Sequence, residues 1–148
     1  MRTLIVAAVA LTALAFAGPA AAARRGKIIN WHAVTTVHPS GANFTGTFTS
    51  SKLGNGTVTY VNSGTDEEIH SVYRVKLKAG TLKGTATTMA TPGGMPTDPT
   101  TFLGAGKVSG GTRSYQGAKG TFSLAGTTNP DGTLTLKLDG TLELPVTT

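Results

Sequence analysis

Between Thr133 and Leu144 the side chains alternate in character at every step. Leu134, Leu136, Leu138, Leu142 and Leu144 share one parity, with Gly140 completing the row. Thr133, Thr135, Lys137, Asp139, Thr141 and Glu143 share the other. Successive side chains of a strand point to opposite faces, so this segment is a strand with one dry face and one wet face. No segment carries a helical period over eleven or more residues. The composition agrees. The 20 glycines and 27 threonines make up almost a third of the 148 residues. Threonine and valine favour strands, and glycine is a poor helix former.

Similar segments recur along the chain. From Thr121 to Thr128, Phe122, Leu124 and Gly126 share a face, and Asn129-Pro130-Asp131-Gly132 supplies the turn into the last strand. Proline presets such a turn, and glycine supplies the positive φ that closes it. A second hairpin is expected from Ala42 to Lys52 and Thr57 to Val61, turning at Asn55-Gly56, the dipeptide that a type I′ turn requires. Phe44, Gly46, Phe48, Val58 and Tyr60 are its inward residues. Next come Ile69 to Leu77 and Thr81 to Met89, joined by Lys78-Ala79-Gly80. Their inward residues are Ile69, Ser71, Tyr73, Val75, Leu77, Leu82, Gly84 and Ala86. Lys27 to Val37 is less regular and reads as an edge or bulged strand carrying Trp31, and Phe102 to Val108 supplies the eighth. Short links imply antiparallel neighbours. The expected fold is therefore all-β, an eight-stranded antiparallel β-barrel, with a β-sandwich as the alternative. Inward Gly46, Gly84, Gly104, Gly106, Gly126 and Gly140 suit tight bending and close strand approach. Thr91 to Thr101, with three prolines and two glycines, is a loop, either a lid or a plain connection.

The first residues read as a leader. Arg2 precedes the apolar run Leu4 to Ala17, Gly18-Pro19 breaks it, and Ala21-Ala22-Ala23 has the form of a cleavage site. Residues 1–23 are thus expected to be a signal peptide, and 24–148 a single β-barrel domain. The protein would be secreted or periplasmic, with no stable membrane span after cleavage. The absence of cysteine excludes disulfides, thiolate nucleophiles, iron–sulfur clusters and cysteine-based zinc sites. The formal charge is +6. Arg74, Lys76 and Lys78 alternate on one strand face, which fits either attraction to an acidic surface or a solvated outer wall. No nucleic-acid partner is expected, because the basic residues are not interleaved with exposed aromatics.

The segment Gly110-Gly111-Thr112-Arg113-Ser114-Tyr115-Gln116-Gly117-Ala118-Lys119-Gly120 resembles the allene oxide cyclase barrel-like superfamily, which also takes in the plant dirigent proteins. Gly120-Thr121-Phe122 and Gly140-Thr141-Leu142 continue the likeness, which covers Val108 to Leu144 and is only a general rhythm before that. The resemblance implies an eight-stranded antiparallel barrel, often a homo-oligomer. Its relatives bind apolar substrates inside the barrel and steer cyclisation or coupling by shape. Two departures stand out. The family often has a further glycine where Arg113 stands. The catalytic carboxylate and thiol of the plant allene oxide cyclases have no matching motif here, so no catalytic residue is carried over. The shared glycines permit a tight connection, and the aromatic, Tyr115, is expected to plug one barrel end.

Few residues suggest chemistry. Glu68 and His70 share a strand face and could approach one cation, but that face continues into Val72, Arg74 and Lys76, which suggests solvent, and its two cationic side chains repel metal. His32 and His38 have no metal-ligand spacing, so no metal and no cofactor is expected. Neither a nucleophile elbow nor a phosphate-binding loop is present. Asn43-Phe44-Thr45 and Asn55-Gly56-Thr57 match the glycan acceptor pattern, but a tripeptide is weak evidence beside a bacterial-looking leader. The aromatics are more informative. Trp31, Tyr60 and Tyr73 share the inward parity, and with Arg113 and Tyr115 they form the candidate ligand-binding set. A barrel of eight strands either fills its interior or keeps room for one small ligand. Three functions follow as expectations. The first is binding of a small apolar or aromatic ligand. The others are a confinement-type cyclase or isomerase and an envelope-associated structural protein.

Overall fold

Each alternating segment becomes a strand. The computed structural model describes residues 26–146, so the leader expected at residues 1–23 lies outside the described residues. The strands are β1 (Lys27–Ser40), β2 (Asn43–Ser50), β3 (Gly54–Gly64), β4 (Glu68–Leu77), β5 (Gly80–Thr91), β6 (Thr101–Gly111), β7 (Lys119–Thr128) and β8 (Leu134–Leu144). A 3₁₀ turn, Arg113–Tyr115, separates β6 from β7. Every strand is antiparallel to its chain neighbours, and β8 returns to pair with β1. The sheet is a closed barrel, not a sandwich, and closure leaves no free edge.

The register fixes the barrel's proportions. The cross-strand partners of Thr91 run through Thr101, Thr127, Thr135, Thr36, Thr47, Thr57 and Lys76 and return to β5 at Thr81, ten residues nearer its start. That stagger tilts the strands and sets the interior width. It also explains where the threonine goes. A β-branched side chain with a hydroxyl suits a solvated pleated wall, and threonine forms almost the whole of this outer ladder. Arg74, Lys83, Lys107 and Lys137 are also exposed on the wall. Such charges are foreign to the apolar band of a membrane-spanning barrel. No helix among the described residues is long and apolar enough to cross a membrane.

Two local expectations are corrected. β1 is neither an edge nor bulged. It has 14 residues and pairs along both sides, with Trp31, Ala33, Thr35 and Val37 alternately buried. The β2–β3 turn is not at Asn55-Gly56, which lie inside β3 opposite Thr49 and Phe48. Residues 51–53 make the turn, and Gly54, at φ 96°, closes it. Two contacts select this earlier turn. Leu53 is buried, and its N–H donates to the Ser50 hydroxyl at 3.2 Å. The β7–β8 hairpin forms as the sequence suggests. The Asn129 N–H donates to the Thr133 carbonyl at 2.7 Å, and Gly132 has φ 89°.

The connections sort to two ends. Residues 51–53, 78–79 and 112–118 lie at one end, and 41–42, 65–67, 92–100 and 129–133 at the other. The first end is closed. Leu53, Tyr115 and Ala118 are buried there, and the Tyr115 hydroxyl donates to the Leu53 carbonyl at 3.4 Å. Above this plug lies an aromatic layer. Trp31 sits 5.8 Å from Phe122 and 6.3 Å from Phe48, and Tyr73 meets Phe122 edge-on at 5.6 Å. Each such pair contributes about 0.5–1.5 kcal/mol beyond the burial of its area. Gly106 faces the Phe122 ring, where a side chain would collide with it, and Gly140 lies against the Phe122 Cβ and the Thr121 carbonyl.

Candidate functional site

The interior changes character toward the second end. The inward side chains of β4 and β5 shrink from Tyr73, Val75 and Leu82 to Ser71, Ala86, Thr88 and Ala90. Strand spacing is constant, so smaller side chains leave space. The space is a cavity of about 490 Å³ that opens at this end of the barrel. Its wall comes from all eight strands and is mainly apolar, with Val37, Phe44, Ile69, Phe102, Leu124, Leu134 and Leu136 among its residues. Residues 63–66 and Thr100 form its rim. The void left among Trp31, Phe48, Tyr73, Phe122 and their neighbours is about 10 Å³, no more than one water's worth. The barrel is therefore half packed and half hollow.

Tyr60 marks the boundary. It borders both the packed layer and the cavity, and its ring lies 6.2 Å from Tyr73. Burial pushes its phenol up to about 12, with the nearby Thr35 hydroxyl pulling the other way. The Thr35 hydroxyl is fully buried and forms no regular hydrogen bond. In the wall, the Ser71 hydroxyl donates to the Asn62 side-chain oxygen at 2.6 Å. The cavity thus presents a short polar strip within an apolar wall, as small-molecule sites do.

The rim is tied down on two sides. The Thr100 N–H donates to the Thr128 hydroxyl at 2.9 Å, and the Thr128 N–H donates to the Thr100 carbonyl at 3.0 Å. The Ala90 N–H donates to the Glu67 carbonyl at 2.8 Å. Between these anchors the 92–100 connection stands out from the wall. Its residues 92–99 are exposed, and Asp98 closes a local turn by accepting the Met95 N–H at 2.9 Å.

Of the five residues in the candidate ligand-binding set, only Tyr60 borders the cavity. Trp31 and Tyr73 belong to the packed half. Tyr115 is buried at the closed end, far from the opening. Arg113 is exposed outside the interior, in the left-handed region at φ 55°. That backbone favours glycine, which gives a physical reason for a glycine to occupy this place in sequences of similar pattern. The histidines lie on the outer wall. His32 pairs with Asp139, and His70 with Glu68 at 3.3 Å, all of them well exposed. Among the described residues no group of three His, Cys, Asp or Glu is placed to hold a metal ion.

Sequence reasoning missed Ser71, Thr88, Ala90 and Asp66 as cavity residues. The signal that could have found Thr88 and Ala90 is the loss of side-chain volume along β5, from Leu82 through Ala86 to Ala90; Ser71 on β4 and Asp66 in the 65–67 connection carry no such local signal. No protein-family model matches the chain, and no curated protein or solved structure matches it.

Proposed function

We propose that the protein is an exported barrel that binds one small apolar or aromatic molecule in its open half. The observation that carries this is the cavity of about 490 Å³, open at one end and lined mainly by aliphatic and aromatic side chains. Its size lies within the range of small-molecule sites, about 300–1,000 Å³. The leader pattern at residues 1–23 supports export. The Gly110 to Gly120 resemblance supports an interior ligand, because the fold it implies is the one this chain has.

The test is a block placed in the cavity. Ala90 lines it near the rim, so Ala90→Phe fills space without touching the aromatic layer. Calorimetric titration with the neutral probe 4-phenylbutan-1-ol should show one saturable site in the parent protein. Affinity should fall at least tenfold in Ala90→Phe. It should be unchanged in Val72→Thr, a substitution on the outer wall. Equal binding by the parent and Ala90→Phe would place the probe elsewhere and refute the proposal.

A further inference from the structure

The two ends of the barrel differ in charge. The connections at the open end carry Asp66, Glu67, Asp98 and Asp131 and no lysine or arginine. Those at the closed end carry Lys52, Lys78 and Arg113 and no carboxylate. Glu68 begins β4 next to the opening. Among the described residues the ion pairs are His32–Asp139 and His70–Glu68, so no lysine or arginine neutralises the carboxylates at the opening. Asp66 lines the cavity itself. The Thr133 side-chain and backbone groups hold the Asp131 carboxyl below the usual carboxylate range, so it stays ionised. The imidazoles at this end are His70, 3.3 Å from Glu68, and His38, which lies against the Thr45 hydroxyl at 3.4 Å.

The wall below that rim is aromatic and apolar. Phe44 and Phe102 are the second residues of β2 and β6, so both stand near the opening of the cavity, with Tyr60 at its floor. Aromatic faces attract cations and accept apolar groups. A mouth of one charge sign over low-dielectric walls concentrates ligands of the opposite sign. Carboxylates at the rim and aromatic faces beneath them therefore favour the same ligand. We infer that the cavity selects an apolar molecule with a cationic head, such as an aryl-alkyl amine. The body lies among Phe44, Phe102 and the leucines, and the ammonium sits at the rim by Asp66. This rests on the cavity being the binding site, as proposed above.

Three probes of one skeleton test it: 4-phenylbutylamine, 4-phenylbutan-1-ol and 4-phenylbutyrate. Each is titrated calorimetrically into the full barrel at low salt and at roughly 0.5 M salt, where the screening length falls to about 4 Å. The amine should bind about tenfold tighter than the carboxylate at low salt, with the alcohol between them. High salt should narrow the gap. The triple variant Asp66→Asn, Glu67→Gln, Asp131→Asn should narrow it severalfold, with Asp98 and Glu68 left in place. These side chains are exposed, so the barrel should still fold. If the alcohol binds and the carboxylate binds as tightly as the amine, charge selection is wrong and the cavity proposal stands. The same holds if the triple variant keeps the full amine preference. If none of the three binds, both proposals fall.

Discussion

Removing one oxygen atom from the packed half of the barrel should cost measurable stability. Tyr73 on β4 reaches across β5 and donates to the Lys107 carbonyl on β6 at 2.7 Å. It does so beside the shift in register between Lys83 and Gly84, with Ser109 the extra residue on β6. The phenol passes over Gly84, where an added methyl would come within 2.6 Å of its oxygen. Burial, followed by the neighbouring Tyr60, raises the Tyr73 phenol well above the usual tyrosine range, so its neutral, donating form is the one present. Tyr73→Phe keeps the ring and its edge contact with Phe122. What it loses is the donor. A buried acceptor left without its donor costs about 1–3 kcal/mol. The bond is only part-buried, so the lower half of that range applies, about 1–2 kcal/mol. For a domain of this size that lowers Tm by roughly 4–7 °C. Urea unfolding followed by Trp31 fluorescence reads the change directly, because Trp31 stacks in the same layer. The midpoint should fall with no change in slope. Gly84→Ala breaks the same contact from the other side, so the double variant should lose less than the sum of the single ones. A loss below about 0.3 kcal/mol, or full additivity, would refute the argument.

Two further outcomes follow from the same structure. The Tyr60 phenol is raised from 10.0 to about 12, so the unfolded chain gives up its proton first as pH rises. Its contribution to stability is complete below pH 10 and is lost between about pH 10 and 12, by roughly 2–3 kcal/mol. Urea midpoints at pH 9 and 11.5 should therefore fall less in Tyr60→Phe than in the parent, and equal slopes would contradict this. The position of the β2–β3 turn is open to a paired test by thermal unfolding. Gly54→Ala, at φ 96°, should cost about 1–2 kcal/mol, whereas Asn55→Ala on the exposed strand should cost under about 0.5 kcal/mol, and the reverse order would move the turn back to Asn55-Gly56.

Parity carried most of the fold. The leucine row of β8, the Asn129 to Gly132 turn and the loop after β5 all stand where alternation and turn chemistry put them. Two local signals misled. Asn55-Gly56 is a strong turn dipeptide, but the hairpin turns where Leu53 can be buried under the closed end, a contact made with the distant Tyr115. Lys27 to Asn30 shows little apolar alternation because its strand is held by pairing with β8, which local pattern does not record. The candidate site was legible only in part. Parity separates inside from outside but says nothing of height along the barrel axis. Trp31, Tyr60 and Tyr73 share one parity, yet the stagger between strands puts two of them in the packed layer and only Tyr60 at the cavity. Height depends on register, and register depends on how all eight strands close.

That closure bears on how the chain reaches its fold. Lys27 pairs with Leu144, and Val37 with Leu134, so the first strand made waits for the last before its second side is covered. Contacts of such sequence separation slow folding, because loop-closure entropy is lost before the pairing compensates for it. A chain that lacks β8 would carry two open strand edges, on β1 and on β7, each a template for association with other chains. The sequence order thus keeps an incomplete chain from sealing itself. A polypeptide delivered to its working compartment one end first would stay threadable until its final strand arrived.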